Sequence, residues 1–316
     1  MSLTPIKSAG KGELGITLVE LMVAVVVGLL LMLGVIQVYL TSKQSYNAQA
    51  ELARMQESGR FAMDLITRDL RRAGYWGGNV DTTTIAGDPG RRDPPDDTCV
   101  NSDWATNITW RVSGLNDGET GYSCAAGRIE DADLLTIRYA GPEPTLTIEN
   151  DGTLYLRSTL FAGRVMRGNN QASNTLPPLG AAPDHLLPQV RPLVSNAYYI
   201  ANSAQTCNGA AIPALWRVRL LPGGAIGAEE VAPGIEQLQV RYLEGSSYVD
   251  ANDVNNWPAV TAVRVWLLAR SHCPEQGLGG SPTYQMADVP SWPVTPDNFR
   301  RQLYVSTVML RNTLVR

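Results

Sequence analysis

Residues Gly15 to Leu40 read G-I-T-L-V-E-L-M-V-A-V-V-V-G-L-L-L-M-L-G-V-I-Q-V-Y-L, an apolar run with one acid, Glu20, near its start. No charge occurs between Leu21 and Ile36. With its flanks the run is long enough to cross a bilayer, which takes about 20 residues. A carboxylate at membrane depth costs roughly 2.5–3.5 kcal/mol by insertion scales unless it is paired. Glu20 is therefore a candidate functional residue.

The residues before the run carry Lys7, Lys11 and Glu13 and no apolar core of their own. A secretory signal peptide places its apolar region ahead of the cleavage site and loses it. Here the expected cut precedes the apolar region, so the mature chain keeps its anchor. The basic leader predicts a cytoplasmic N-terminus.

Gly15, Ile16, Thr17, Leu18, Val19 and Glu20 together resemble the class III signal of type IV prepilins. That family's pattern is a glycine, a hydrophobic residue (usually Phe), Thr-Leu-hydrophobic-Glu, then an apolar helix. The resemblance implies that a prepilin peptidase cuts between Gly15 and Ile16 and methylates the new amine of Ile16. It also implies that Glu20 pairs with the Ile16 amine of a neighbouring subunit in a filament. Such a pair would relieve two desolvation costs at once. Ile16 departs from the usual Phe. An ordinary single-pass anchor with an incidental acid is the plain alternative, and it requires the glycine, the Thr-Leu pair and the acid to coincide at this spacing.

No proline lies between Pro5 and Pro89, so nothing strongly breaks a helix from Ile16 to about Ala73. At 1.5 Å per residue such a helix is roughly 85 Å long. Gly28, Gly34 and Gly59 are its soft points. Past the apolar run, Ala48, Leu52, Met55, Gly59, Ala62 and Ile66 recur at three- and four-residue steps, widened by Phe61 and Leu65. This stripe is expected to bind the helix to its own globular head. The other face carries Lys43, Arg54, Glu57, Arg60, Asp64, Arg68 and Arg71, with Glu57–Arg60, Asp64–Arg68 and Asp64–Arg60 as expected pairs. Gly74, after basic Arg71 and Arg72, marks the stop.

Beyond the helix, 79–123 reads as loop-rich. Strands are expected at Asp133–Tyr139, Thr153–Arg157, Ala197–Ala201, Leu215–Leu221, Ile235–Leu243, Ala259–Leu268 and Gln302–Leu310, several with period-two alternation. Asn169 to Pro192 reads as a long surface loop or insertion. The stretch Gln56 to Trp76, with Val263–Ser271 and Arg300–Asn312, resembles the PilW family of minor pilins, a pattern shared with the J-type pseudopilins of type II secretion. Members of that family often carry a cysteine soon after Gly-Tyr-Trp, where Gly77 and Gly78 stand here. The resemblance implies an α+β, type IV pilin-like fold: leader 1–15, a long helix 16–75 with its transmembrane part at about 16–40, and a β-rich head 76–316 packed on the helix.

The chain has a net charge of −4. No basic stripe is present, which argues against nucleic acid as the main partner. Cys99, Cys124, Cys207 and Cys273 sit in the part expected to be periplasmic, where an even count suggests disulfides. Four cysteines allow three connectivities; Cys99–Cys124 with Cys207–Cys273 closes the shortest loops. No Cys-x-x-Cys occurs and only His185 and His272 exist, so neither a metal site nor a catalytic triad is expected, and no cofactor is implied. The oxygen-rich run Asp250–Asn256 departs from a calcium loop at Val254 and lacks the following glycine and distant glutamate. A turn is the better reading there, as a solvated loop is for Asp93–Asp97. Trp104, Trp110, Trp257 and Trp292 could line a ligand site but are read as core.

The expectation is a non-enzymatic minor pilin that helps to initiate type IV pilus assembly and ends at or near the tip, supporting twitching motility and adhesion. Its implied partners are other minor pilins, the major pilin, the prepilin peptidase, the inner-membrane assembly platform and a large tip adhesin. It would wait in the inner membrane with its head in the periplasm before joining the pilus. A J-type pseudopilin is the nearest rival, disfavoured by the middle insertion and the Gly-Tyr-Trp ending. A tip adhesin using a pilin anchor is the second.

Overall fold

The computed structural model describes residues 15, 17–87, 103–119, 122–170, 188–275, 278, 280, 282–293 and 297–312. The chain divides into two compact units with the boundary between Ala50 and Glu51. That boundary falls inside one helix, α1 (Leu18–Arg72), 55 residues without a break.

In the second unit, α1 buries Met55, Gly59, Ala62, Ile66, Thr67, Asp69 and Leu70. The apolar members of this stripe join one core with strand residues such as Ile137, Tyr198, Val240, Val265 and Val308. Ile66 and Leu70 are fully buried, each contributing about 1.5–3 kcal/mol. Leu52 and Leu65 pack against its rim. Phe61 does not: it is 52% exposed. At about 100° per residue it sits roughly 120° from the middle of the stripe, so helical geometry turns it to solvent. Of the expected helix pairs, Asp64–Arg68 forms; Arg54 turns to Glu51 at 3.0 Å, and neither pair expected for Arg60 is present.

The helix stops at Gly74, which has φ +73°. A Cβ there would meet the Arg111 side chain at 2.8 Å. Asn312 Nδ2 donates to the Ala73 carbonyl at 3.1 Å and to that of Arg72 at 3.4 Å, so the chain's far end caps this helix end.

The larger sheet has eight strands: β1 (Ile85–Gly87), β2 (Val112–Leu115), β3 (Leu134–Ala140), β4 (Leu154–Ser158), β5 (Gly163–Arg167), β6 (Gln189–Cys207), β7 (Ala210–Leu220) and β8 (Ile226–Pro233). They run β1-β5-β4-β6-β3-β2, with β7 joining β6 to β8. Among the described residues only the β1–β5 pair is parallel. The second sheet, in order β10-β9-β11-β14, is antiparallel and uses β9 (Ile235–Glu244), β10 (Ser247–Val249), β11 (Val260–Arg270) and β14 (Arg301–Met309). A hairpin, β12 (Tyr284–Met286) and β13 (Val289–Trp292), stands apart.

The seven expected strand segments overlap β3, β4, β6, β7, β9, β11 and β14. The region read as loop-rich also holds β1, β2 and a one-turn helix, α2 (Asp103–Thr106). The segment read as an insertion ends in strand, since β6 begins at Gln189; residues 171–187 lie outside the described part.

β3 is buried along its whole length. It carries Arg138, fully buried, whose guanidinium donates to the carbonyls of Trp104 and Trp110 and to Ser113 Oγ. Burial lowers its pKa. These bonds to neutral oxygens fasten the 104–113 segment over the sheet.

Candidate functional site: the N-terminal helix

Thr17 starts α1. Its Oγ1 accepts from the Glu20 N–H at 3.3 Å and its carbonyl from the Leu21 N–H at 3.1 Å, the geometry of an N-cap. Thr17-Leu18-Val19-Glu20 thus has the spacing of a capping box. An acid in the first turn also complements the helix dipole. Glu20 is exposed. Gly15 is exposed and a Cβ on it would touch nothing within 4 Å. Ile16 lies outside the described residues.

From Thr17 to Asn47 every residue of the first unit is exposed. The apolar members include Leu18 at 76% and Val35 at 69% exposure. One helix among the described residues is long and apolar enough to cross a membrane, and it is this one. It fits a single-pass anchor. Exposed apolar surface on this scale marks contact with lipid or with other chains.

The second half of α1 is held by contacts that sequence reading missed. Asp69, 3% exposed, accepts from Tyr139 Oη at 2.8 Å, Asn196 Nδ2 at 2.6 Å and Tyr198 Oη at 2.6 Å. Burial, then the Asp69 charge, raises the pKa of both tyrosines. Gly59 lies under the Tyr304 ring of β14, where a Cβ would overlap the ring. Asp133 is a second buried carboxylate, accepting from the N–H groups of Asp117 and Val240 at 3.0 and 2.6 Å. Its backbone N–H donates to Leu238. Asp133 therefore partners the margin of β9, and burial pushes its pKa well up.

Cys207 and Cys273 form a disulfide with Cα atoms 5.6 Å apart, tying the end of β6 to the loop after β11. Cys124 is also disulfide-bonded; Cys99 lies outside the described residues. The backbone N–H of His272, beside Cys273, donates to Glu51 Oε2 at 3.2 Å. His185 and Asp93–Asp97 lie outside the described residues. Asp250 pairs with Arg241 at 2.6 Å, and residues 251–253 form a single 3-10 turn. Trp104 and Trp257 are buried, Trp110 packs against the core, and Trp292 is half-buried.

A long apolar helix whose second half packs into an antiparallel, sheet-rich head defines a pilin-like α+β protein. Two family models match successive parts of it. The model for type IV pilus-assembly protein W matches residues 197–312, and that for prepilin peptidase-dependent protein B matches 48–141. Together they support a PilW-type minor pilin, with a minor pilin or pseudopilin-like role. Neither reaches the first 47 residues. No curated protein matches the chain. Among solved structures, a type IV-like pilin from Thermus thermophilus is similar at 13% identity and TM-score 0.36, over 82% of this chain and 96% of that one. A chain of the GspK–GspI–GspJ complex of the enterotoxigenic Escherichia coli type 2 secretion system is similar at 13% identity and TM-score 0.30, over 80% and 96%.

Proposed function

We propose that the chain is a structural subunit, a minor pilin that helps to start type IV pilus assembly and remains at or near the tip. The observation that carries this reading is the division of α1. Its first half leaves a whole apolar surface unpartnered, with Glu20 in the opening turn, while its second half is the core of a head.

In this reading a prepilin peptidase removes residues 1–15, and the new Ile16 amine is methylated. The helix then sits in the inner membrane, N-terminus cytoplasmic and head periplasmic, until an assembly platform extracts it. Glu20 meets the Ile16 amine of a neighbouring pilin, and that pairing sets register and recruitment. Other minor pilins, the major pilin and a large tip adhesin are the partners; motility and adhesion follow from the pilus. The chain acts through assembly and not as a catalyst.

Mass spectrometry of the mature N-terminus tests the first step. The expected terminus is methylated Ile16. A chain that retains residues 1–15 in piliated cells refutes the reading.

A further inference from the structure

The second sheet has one long open margin. β14 has β11 on one side and no described strand on the other, and its nine residues pair with β11 in unbroken register from Arg301↔Arg270 to Met309↔Ala262. Open strand margins template further pairing, and proteins blunt them with short strands, charges, proline or bulges. The other outer strands are blunted in these ways. β1 and β10 have three residues and β2 has four. β8 carries Glu229 and Glu230, ends at Pro233 and is offset by a register shift. β14 is long, proline-free and unbulged, its one charge, Arg301, is buried against Glu236, and its side chains Val305, Thr307 and Met309 are exposed.

The bonds at its two ends say which backbone groups face outward. The Arg300 carbonyl accepts from Ser271 N–H, and Leu310 N–H donates to Thr261, both toward β11. The Arg301 carbonyl instead accepts from Tyr284 Oη of the hairpin. Antiparallel strands alternate these directions residue by residue. The N–H and C=O groups of Leu303, Val305, Thr307 and Met309 therefore lie on the open margin.

At its far end this margin runs into a groove of about 530 Å³ lined by Arg71 of α1 and by residues 307–311. Arg71 and Arg311 are exposed and form no ion pair among the described residues. Two guanidiniums with no ion pair among the described residues, beside a row of outward-facing strand groups, favour an acid on the incoming chain. A second copy of β14 supplies none, since its only charged residue is Arg301.

We propose that the β14 margin is a docking site for an extended, carboxylate-bearing segment of a different protein chain. That segment adds a strand beside β14 and sets its acid against Arg71 and Arg311. The main-chain ladder gives the affinity, and the charge gives orientation.

The test uses the full chain in detergent micelles and a labelled nine-residue peptide of alternating valine and threonine with aspartate at both ends. A lysine-ended peptide and a backbone N-methylated peptide are the controls. The aspartate peptide should bind saturably, at least about tenfold tighter than the lysine peptide, and the N-methylated one should not bind. Amide exchange at Leu303, Val305, Thr307 and Met309 should slow on binding. Arg71→Glu and Arg311→Glu, with unchanged melting, should each weaken the charge preference, and the double variant should reverse it. Equal binding of the three peptides, no binding, or a preference that survives both variants overturns the proposal. So does self-association of the chain with these four amides already protected, which would assign the margin to a second copy.

Discussion

The two halves of α1 share one helical geometry and differ in everything that touches them. Between Thr17 and Asn47 no side chain is buried, and from Leu21 to Ile36 none is polar. Between Met55 and Leu70 the helix buries a stripe, presses a glycine under an aromatic ring and offers a carboxylate to three donors. Helix propensity does not separate the two halves; the surroundings do. One half is finished inside this chain, and the other is left for lipid or for other subunits.

The largest expected effect lies in the finished half. Asp69→Ala leaves Tyr139, Tyr198 and Asn196 without their acceptor, and unsatisfied buried donors cost about 1–3 kcal/mol each. Urea denaturation of the full chain in detergent should show a loss of at least about 3 kcal/mol, with partial recovery in Asp69→Asn. An unchanged midpoint would mean that apolar packing alone docks the helix.

Gly59→Ala should come next, at about 1–3 kcal/mol for overpacking against Tyr304. A better helix former at that position returns up to about 1 kcal/mol. Adding Tyr304→Ala should remove most of the penalty, so the two changes are non-additive. Additive losses would deny the close contact.

Asp133 gives a pH signature. Its folded-state pKa is raised above the unfolded value, so its contribution is fully present below the ordinary carboxylate pKa and is lost as pH rises through the raised value. The stability of the wild type relative to Asp133→Asn should therefore fall as pH rises above the ordinary carboxylate pKa of about 4. A flat difference would remove the burial cost. The smallest effect expected is for Asn312→Ala, about 0.5–1.5 kcal/mol for one lost set of carbonyl bonds at the end of α1.

The exposed half was legible in the sequence because its signals are local. Gly15, Thr17 and Glu20 fall within six residues, and the apolar run is contiguous. The stripe Met55–Ile66 was legible by period, although Phe61 was drawn into it by composition alone. Asp69 was not legible, since its donors lie 70, 127 and 129 residues away. Strand β8 was hidden for a related reason. Its adjacent Glu229 and Glu230 hide any alternation, and it is held as a strand by β7, where Arg217 and Arg219 meet Glu229. Short β1 and β2 exist only as partners to other strands.

Glu20 is expected to act between chains and not within this one. The direct measurement is Glu20→Ala in piliated cells, with the mature N-terminus, the denaturation midpoint of the head and the amount in sheared pili all recorded. Cleavage at Ile16 and the midpoint should match the wild type, while the amount recovered in pili falls several-fold. Normal incorporation of the variant, with processing and stability intact, would contradict the account.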